Sequence, residues 1–161
     1  MFFARQDYHT HTRFSIDSNC DPAALLYAAV AGGVNYLAVT DHFDVPEKNG
    51  SSVKAEFYAK AEAIWKLIAP LAAGCPSVKV ARGIELGQPL WAIEMVNGFL
   101  RDFEFDVVLA SQHGVDGLED YYWVNMALED EKKLFDDYFD TLLRLVHWNG
   151  FDVLAHLTYP V

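Results

Sequence analysis

Short apolar runs alternate along this chain with longer segments whose apolar residues recur at intervals of three and four. The runs predict strands buried on both faces, and the longer segments predict helices with one buried face. Residues 2–8 form the first strand candidate. Asp21 followed by Pro22 has the form of a helix N-cap with proline in the first turn. That helix would run through residues 23–30 and stop at Gly32-Gly33. Residues 36–40 are near-continuously apolar and predict a second strand. A second helix is predicted over 53–73, with Ser51 or Ser52 as cap, Gly74 as stop, and Phe57, Ile64, Leu67, Ile68 and Leu71 along one face. A strand over 78–86, a helix over 91–100, a strand over 106–110, an acidic-fronted helix over 129–148 ending at Gly150, and a strand over 151–157 complete the pattern.

Strands alternating with helices in this way predict an α/β fold with a parallel sheet or barrel. No repeat, low-complexity tract or linker interrupts the 161 residues, so a single domain over 1–161 is expected. The last predicted strand is followed at once by Tyr159-Pro160-Val161, with no helix to cover it. A bare parallel edge strand is a poor ending, and it predicts either an incomplete domain or a homodimer in which a second copy covers the edge.

Composition narrows the classes. With 52% hydrophobic and 22% charged residues the chain has the makings of a packed core rather than a disordered segment. A formal net charge of −11 argues against nucleic acid and anionic membranes as partners, since both need a positive face. It does not exclude a small anionic substrate, because a bound metal cluster can invert the field inside a cleft. Cys20 and Cys75 form no CxxC pair and read as small, partly buried hydrophobes in a reducing cytoplasm. No signal peptide or membrane-spanning run is visible.

The candidate chemistry lies in the histidines. Of six, five fall at the C-terminal ends of predicted strands or just beyond: His9 and His11, His42, His113 and His156. Glu85 ends the third strand. Active sites of α/β folds gather at this end of the sheet, where side chains converge from distant parts of the chain. Imidazole is the commonest metal ligand, His-x-His on an extended segment presents both rings to one face, and a glutamate inside an apolar strand is costly unless paired. Thr40-Asp41-His42 taken alone is equally compatible with a turn. Taken together, the set predicts a metal site, with Asp17 and Glu85 as the carboxylates that add charge and bridge ions. Such a cluster can activate a water and offset charge on a phosphoryl group. His147, in the last turn of a helix, reads as structural. The acidic set Glu119, Asp120, Glu129, Asp130, Glu131, Asp136 and Asp137 reads as solvated surface and helix N-terminal charge. Tyr121, Tyr122 and Trp123 are compatible with packing under the sheet or with lining a substrate mouth.

Five segments carry a specific resemblance. Asp7-Tyr8-His9-Thr10-His11-Thr12 with Phe14-Ser15-Ile16-Asp17-Ser18, Val39-Thr40-Asp41-His42, Gly83-Ile84-Glu85-Leu86-Gly87, Ala110-Ser111-Gln112-His113 with Val115-Asp116-Gly117, and Ala155-His156-Leu157-Thr158-Tyr159-Pro160 resemble, in order, the motifs of PHP (polymerase and histidinol phosphatase) phosphoesterases. The Val-Asp-Gly and Tyr-Pro details are most similar to the histidinol-phosphate phosphatase branch. The resemblance implies a distorted (β/α)7 TIM-like barrel, here truncated to about five strands, with two or three divalent ions of zinc, manganese or iron. His9 and His11 would hold the first ion. Glu85 would bridge it to a second completed by His113 and His156. His42 and Asp17 would hold the third, with Asp41 orienting a ligand. His9, His11, Glu85 and His113 would act catalytically through a metal-bridging hydroxide that attacks phosphorus directly, with no phosphorylated residue. The family's final Asp-x-His motif has no counterpart here, and Arg13 and Arg82 are the nearby basic candidates for phosphate. The implied activity is a phosphomonoesterase acting on a small phosphorylated metabolite in histidine biosynthesis. A PHP-type phosphodiesterase or nuclease, or a truncated metal-binding domain without activity, is the alternative.

Overall fold

The structure, a computed structural model, describes residues 4–47, 52–114, 120–124 and 130–159. The strand start at Phe2-Phe3, the cap at Ser51, Val115-Asp116-Gly117, Glu119, Glu129 and Pro160 lie outside the described residues. Five strands, β1 (Gln6–Asp7), β2 (Tyr36–Val39), β3 (Lys79–Gly87), β4 (Val107–Ser111) and β5 (Val153–Leu154), alternate with four helices, α1 (Pro22–Ala31), α2 (Ser52–Ala73), α3 (Ile93–Asp102) and α4 (Glu131–Trp148). The strands pair in chain order and every pair is parallel. Each helix therefore carries the chain one strand further in the same direction, and the sheet curls into a half-barrel rather than winding both ways from a centre.

The local chemistry follows the predicted punctuation closely. Asp21 caps α1 by accepting the Ala23 N–H, with Pro22 in the first turn, and the chain reverses at Gly33, whose φ of 67° suits glycine. Helix α2 ends where Gly74 donates to the carbonyls of Pro70 and Leu71. Among the described residues of the segment predicted over 2–8, strand β1 covers only Gln6–Asp7, and three later boundaries also differ from expectation. The segment predicted as one helix from residue 91 is a 3-10 turn, Pro89–Ala92, followed by α3. Helix α4 is closed by Asn149 at φ 56° rather than by Gly150; asparagine tolerates the left-handed conformation, and its N–H returns to Leu145 O. Strand β5 holds only two residues because His156, at φ 53°, turns the chain out of the extended form just after Ala155 N–H has bonded Ala110 O.

The main core lies between β2, β3 and the layer of α2 and α3. Ile84 and Leu86 project into it against Phe57, Ile68, Val96 and Phe99, all buried. Period-two alternation then sends Gly83, Glu85 and Gly87 to the opposite, inner face of the curl. A smaller cluster joins α4 to Tyr121, which packs edge-on against Tyr138. Tyr122 and Trp123 are exposed. No described helix is long and apolar enough to cross a membrane.

Candidate metal centre

Five imidazoles close a ring around one buried carboxylate. Centroid distances run His9–His11 5.0 Å, His11–His42 4.5 Å, His42–His113 4.9 Å, His113–His156 5.3 Å and His156–His9 5.0 Å. Glu85, fully buried at the inner face of β3, stands within it. Its Oε2 lies 3.0 Å from His9 Nε2, 3.3 Å from His11 Nε2 and 3.6 Å from His42 Nδ1. Its Oε1 lies 3.1 Å from His156 Nε2 and 3.3 Å from His113 Nε2. Each oxygen thus faces its own pair of imidazole Nε2 atoms.

The strand ends explain the convergence. Thr10 is locked to the end of β2: its N–H donates to Thr40 Oγ1 (3.0 Å), its hydroxyl to Ala38 O (2.6 Å), and Thr40 N–H donates to Thr10 O (2.9 Å). With residue 10 turned to β2, residues 9 and 11 face inward together. Asp41 is buried and accepts the Thr12 N–H (2.6 Å), the Thr12 hydroxyl (2.8 Å) and the Ser15 hydroxyl (2.8 Å). It reaches the ring through Ser15, whose oxygen accepts the His42 N–H at 2.9 Å and lies 3.3 Å from His11 Nδ1. Asp17, half exposed, approaches His42 Nε2 at 3.4 Å.

Some expected residues stand elsewhere. Arg13 pairs with Asp21 at the start of α1. Arg82 lies on the helix-facing side of β3, its guanidinium over the rings of Trp65, Phe103 and Phe105. The structure brings neither to the ring. Residues that the sequence reading passed over do reach it. Asp44 lies 3.1 Å from His113 Nδ1, Tyr159 sets its ring at a tilt 5.0 Å from that of His113, and Lys60 donates to His42 O at 2.5 Å. A signal for Asp44 was present: in His42-Phe43-Asp44-Val45 the apolar residues alternate with the polar ones, as on an extended segment with one face in the core. His147, as expected of a structural residue, has Nδ1 2.7 Å from Leu143 O within its own helix.

The electrostatics are those of a cage built for cations. Burial alone would raise the Glu85 carboxyl, but hydrogen bonds from His113, His156 and His9 hold it far below the usual range. Burial works against a charge on His113, yet Asp44 and Glu85 outweigh it and push its pKa up to about 9. For His11 burial and the neighbouring His42 win, and its pKa falls. Three carboxylates, Glu85, Asp44 and Asp17, do not balance a ring of five charged imidazoles at these spacings. His42 Nδ1 is buried and has no hydrogen-bond partner. Nitrogen and carboxylate oxygen donors grouped as His9, His11 and Glu85, as His11, Asp17 and His42, and as His42, Glu85 and His113 fit divalent cations such as zinc.

A curled parallel half-barrel with a histidine ring on its inner rim, at the C-terminal ends of the strands, has the architecture of the barrel folds that place their functional groups at that end of the sheet. Residues 7–161 match the PHP domain, and the chain belongs to that family. Over 154 residues it is 29% identical to the probable histidinol-phosphatase of Clostridium acetobutylicum, covering 95% of this chain and 57% of that protein. It is 27% identical over 160 residues to the histidinol-phosphatase of Lactococcus lactis, covering 95% of this chain and 56% of that one. The crystal structure of histidinol phosphate phosphatase from Lactococcus lactis, complexed with zinc, L-histidinol and phosphate, superposes with a TM-score of 0.69 at 25% identity, over 97% of this chain and 59% of that one. The chain therefore spans little more than half the length of the curated relatives it matches.

Proposed function

We propose that this chain holds a divalent-metal centre and hydrolyses phosphate monoesters, with histidinol phosphate as the substrate. The carrying observation is the division of Glu85: Oε2 is shared by His9 and His11, Oε1 by His113 and His156. A carboxylate with one imidazole pair on each oxygen is what a bridge between two cations requires. His42 with Asp17 forms a third group beside it. Zinc is favoured because the Lactococcus lactis relative is complexed with it. The same relative, holding L-histidinol and phosphate, favours the substrate. In this reading residues 1–161 form one PHP domain, and two cysteines without a disulfide suit a reducing cytoplasm.

Divalent ions held here supply Lewis acidity toward the phosphate and toward the attacking water. The chain's own groups do the rest. Glu85 keeps its negative charge under burial because the ring donates to it. Asp41, through Ser15, fixes the backbone of His42 and the ring of His11. An open cavity of about 250 Å³ beside His42, lined also by Ile16, Asp44, Phe57 and Lys60, gives the leaving group room next to the cations.

The zinc-loaded chain should release phosphate from histidinol phosphate and from p-nitrophenyl phosphate, and leave bis-p-nitrophenyl phosphate intact. Glu85→Gln should bind fewer zinc equivalents and lose at least ~100-fold in turnover, beyond the loss typical of residues that only orient ligands. Faster turnover of the diester would reassign the centre to phosphodiester cleavage. Full zinc uptake without monoester turnover would leave a binding domain.

A further inference from the structure

Asp44 reaches the centre from the extended segment that follows β2. Beyond β2 the chain stays extended and runs alongside β3: Phe43 N–H donates to Glu85 O (2.7 Å) and Val45 N–H to Gly87 O (2.9 Å). Phe43 and Val45 are buried in the core, so His42 and Asp44 share the inner face. There Asp44 Oδ1 lies 3.1 Å from His113 Nδ1, and Oδ2 lies 3.5 Å from His42 Nδ1. The opposite nitrogens face other acids: His113 Nε2 is 3.3 Å from Glu85 Oε1 and His42 Nε2 is 3.4 Å from Asp17 Oδ2.

A second observation concerns Gly87, across from Asp44. Its backbone is ordinary strand, with no positive φ that would call for glycine. A Cβ there would stand 1.8 Å from Asp44 Oδ1 and 3.2 Å from His113 Nδ1. The absent side chain is what leaves space for the carboxylate.

Resting on the metal reading above, we infer that Asp44 is a positioning residue for two imidazoles at once, and that Gly87 makes the room it needs. Asp44 accepts the Nδ1 proton of His113 and faces Nδ1 of His42. It thereby keeps the Nε2 lone pair of His113 turned to Glu85, and its charge beside Nδ1 of His42 favours the orientation in which Nε2 of that ring faces Asp17. The two rings share the group His42, Glu85 and His113, and His42 also belongs to the group with His11 and Asp17, so one carboxylate bears on both groups.

The test compares zinc binding by the whole chain, measured by competition with a chromophoric chelator, in the wild type, Asp44→Ala, Asp44→Asn and Gly87→Ala. Asp44→Ala and Gly87→Ala should each weaken the ions that depend on His113 and His42 by ~10- to 100-fold. The ion held by His9, His11 and Glu85 should keep its affinity. Asp44→Asn, which retains an acceptor oxygen of the same shape, should recover most of the loss and serves as the reference if either other variant folds poorly by circular dichroism. Nitrogen-15 spectra should show His113 as a single Nδ1–H tautomer in the wild type and a mixture in Asp44→Ala. Wild-type zinc affinity at every site in Asp44→Ala, with an unchanged His113 tautomer, would overturn the inference. A wild type that takes up no zinc would overturn the metal reading instead.

Discussion

The two flanks of the histidine ring are held in different ways. The early flank, His9, His11 and His42, hangs on the ends of β1 and β2, which are laced together by Thr10, Thr12, Ser15, Thr40 and Asp41. The Thr10 bonds involve backbone, and the Asp41 bonds are buried. The late flank, His113 and His156, has backbone bonds at its carbonyls, from Tyr121 N–H and Tyr159 N–H, but fewer side-chain bonds lacing it to its neighbours. His113 leans on Asp44. His156 follows a two-residue strand in the left-handed region, and its carbonyl is held by the Tyr138 hydroxyl and the Tyr159 N–H. The Tyr159 hydroxyl in turn donates to Asp120. Redundant bonding makes the early flank part of the fold. The late flank is an attachment whose members can be released one at a time. Damage to the first should therefore be read as lost stability, and damage to the second as lost metal.

Asp41→Ala should have the largest effect on stability. It removes the acceptor for the Thr12 N–H and for the Thr12 and Ser15 hydroxyls, inside a region where water cannot replace it. A hydrogen-bonded buried carboxylate lost in this way costs about 3 kcal/mol. Denaturant unfolding of the zinc-free chain measures this without any contribution from ligands. An unchanged midpoint would mean that the early flank is no more integrated than the late one.

Tyr138→Phe tests the other side. Tyr138 is completely buried in the α4 cluster, and phenylalanine keeps its packing against Tyr121 while deleting the bond to His156 O. Stability should fall by only about 1 kcal/mol. Zinc binding should show one ion weakened ~10-fold, the scale of outer supports in metal sites. The ion at His9 and His11 should be untouched. A uniform loss at all ions would erase the distinction between the flanks.

The same contrast explains what could be read in the sequence. His9, His11, His42, Glu85, His113 and His156 were visible as one gathering because each sits at the end of an apolar run, and parallel topology carries all such ends to one rim. Helix caps at Asp21 and the stop at Gly74 were visible because their chemistry is local. The alternation over residues 42–45 marked the face of Asp44 but not its partner, and nothing marked Tyr138, because each acquires its partner only when separate segments pack: residues 42–45 against β3, and α4 under residue 156. The shortness of β5 was hidden for a related reason. Phe151 to Leu157 reads as a strand by composition, but the turn at His156 is imposed by the ring it joins.

Arg82 carries the smallest predicted effect and separates the two faces of one strand. Alternation along β3 puts residue 82 with Ile84 and Leu86 on the helix side, opposite Glu85 and Gly87, and this was readable from the period of two. Its guanidinium lies 5.1 Å from the Phe103 centroid and 5.5 Å from those of Trp65 and Phe105. Such contacts stabilise by about 0.5–1 kcal/mol, and a methionine would retain much of the apolar packing. Arg82→Met should therefore lower the unfolding midpoint slightly and leave both zinc stoichiometry and the KM for a phosphate monoester at wild-type values. A raised KM with unchanged zinc content would place the guanidinium on the phosphate after all. That would require the side chain to cross from the core face of β3 to the rim, a move the aromatic box around it opposes.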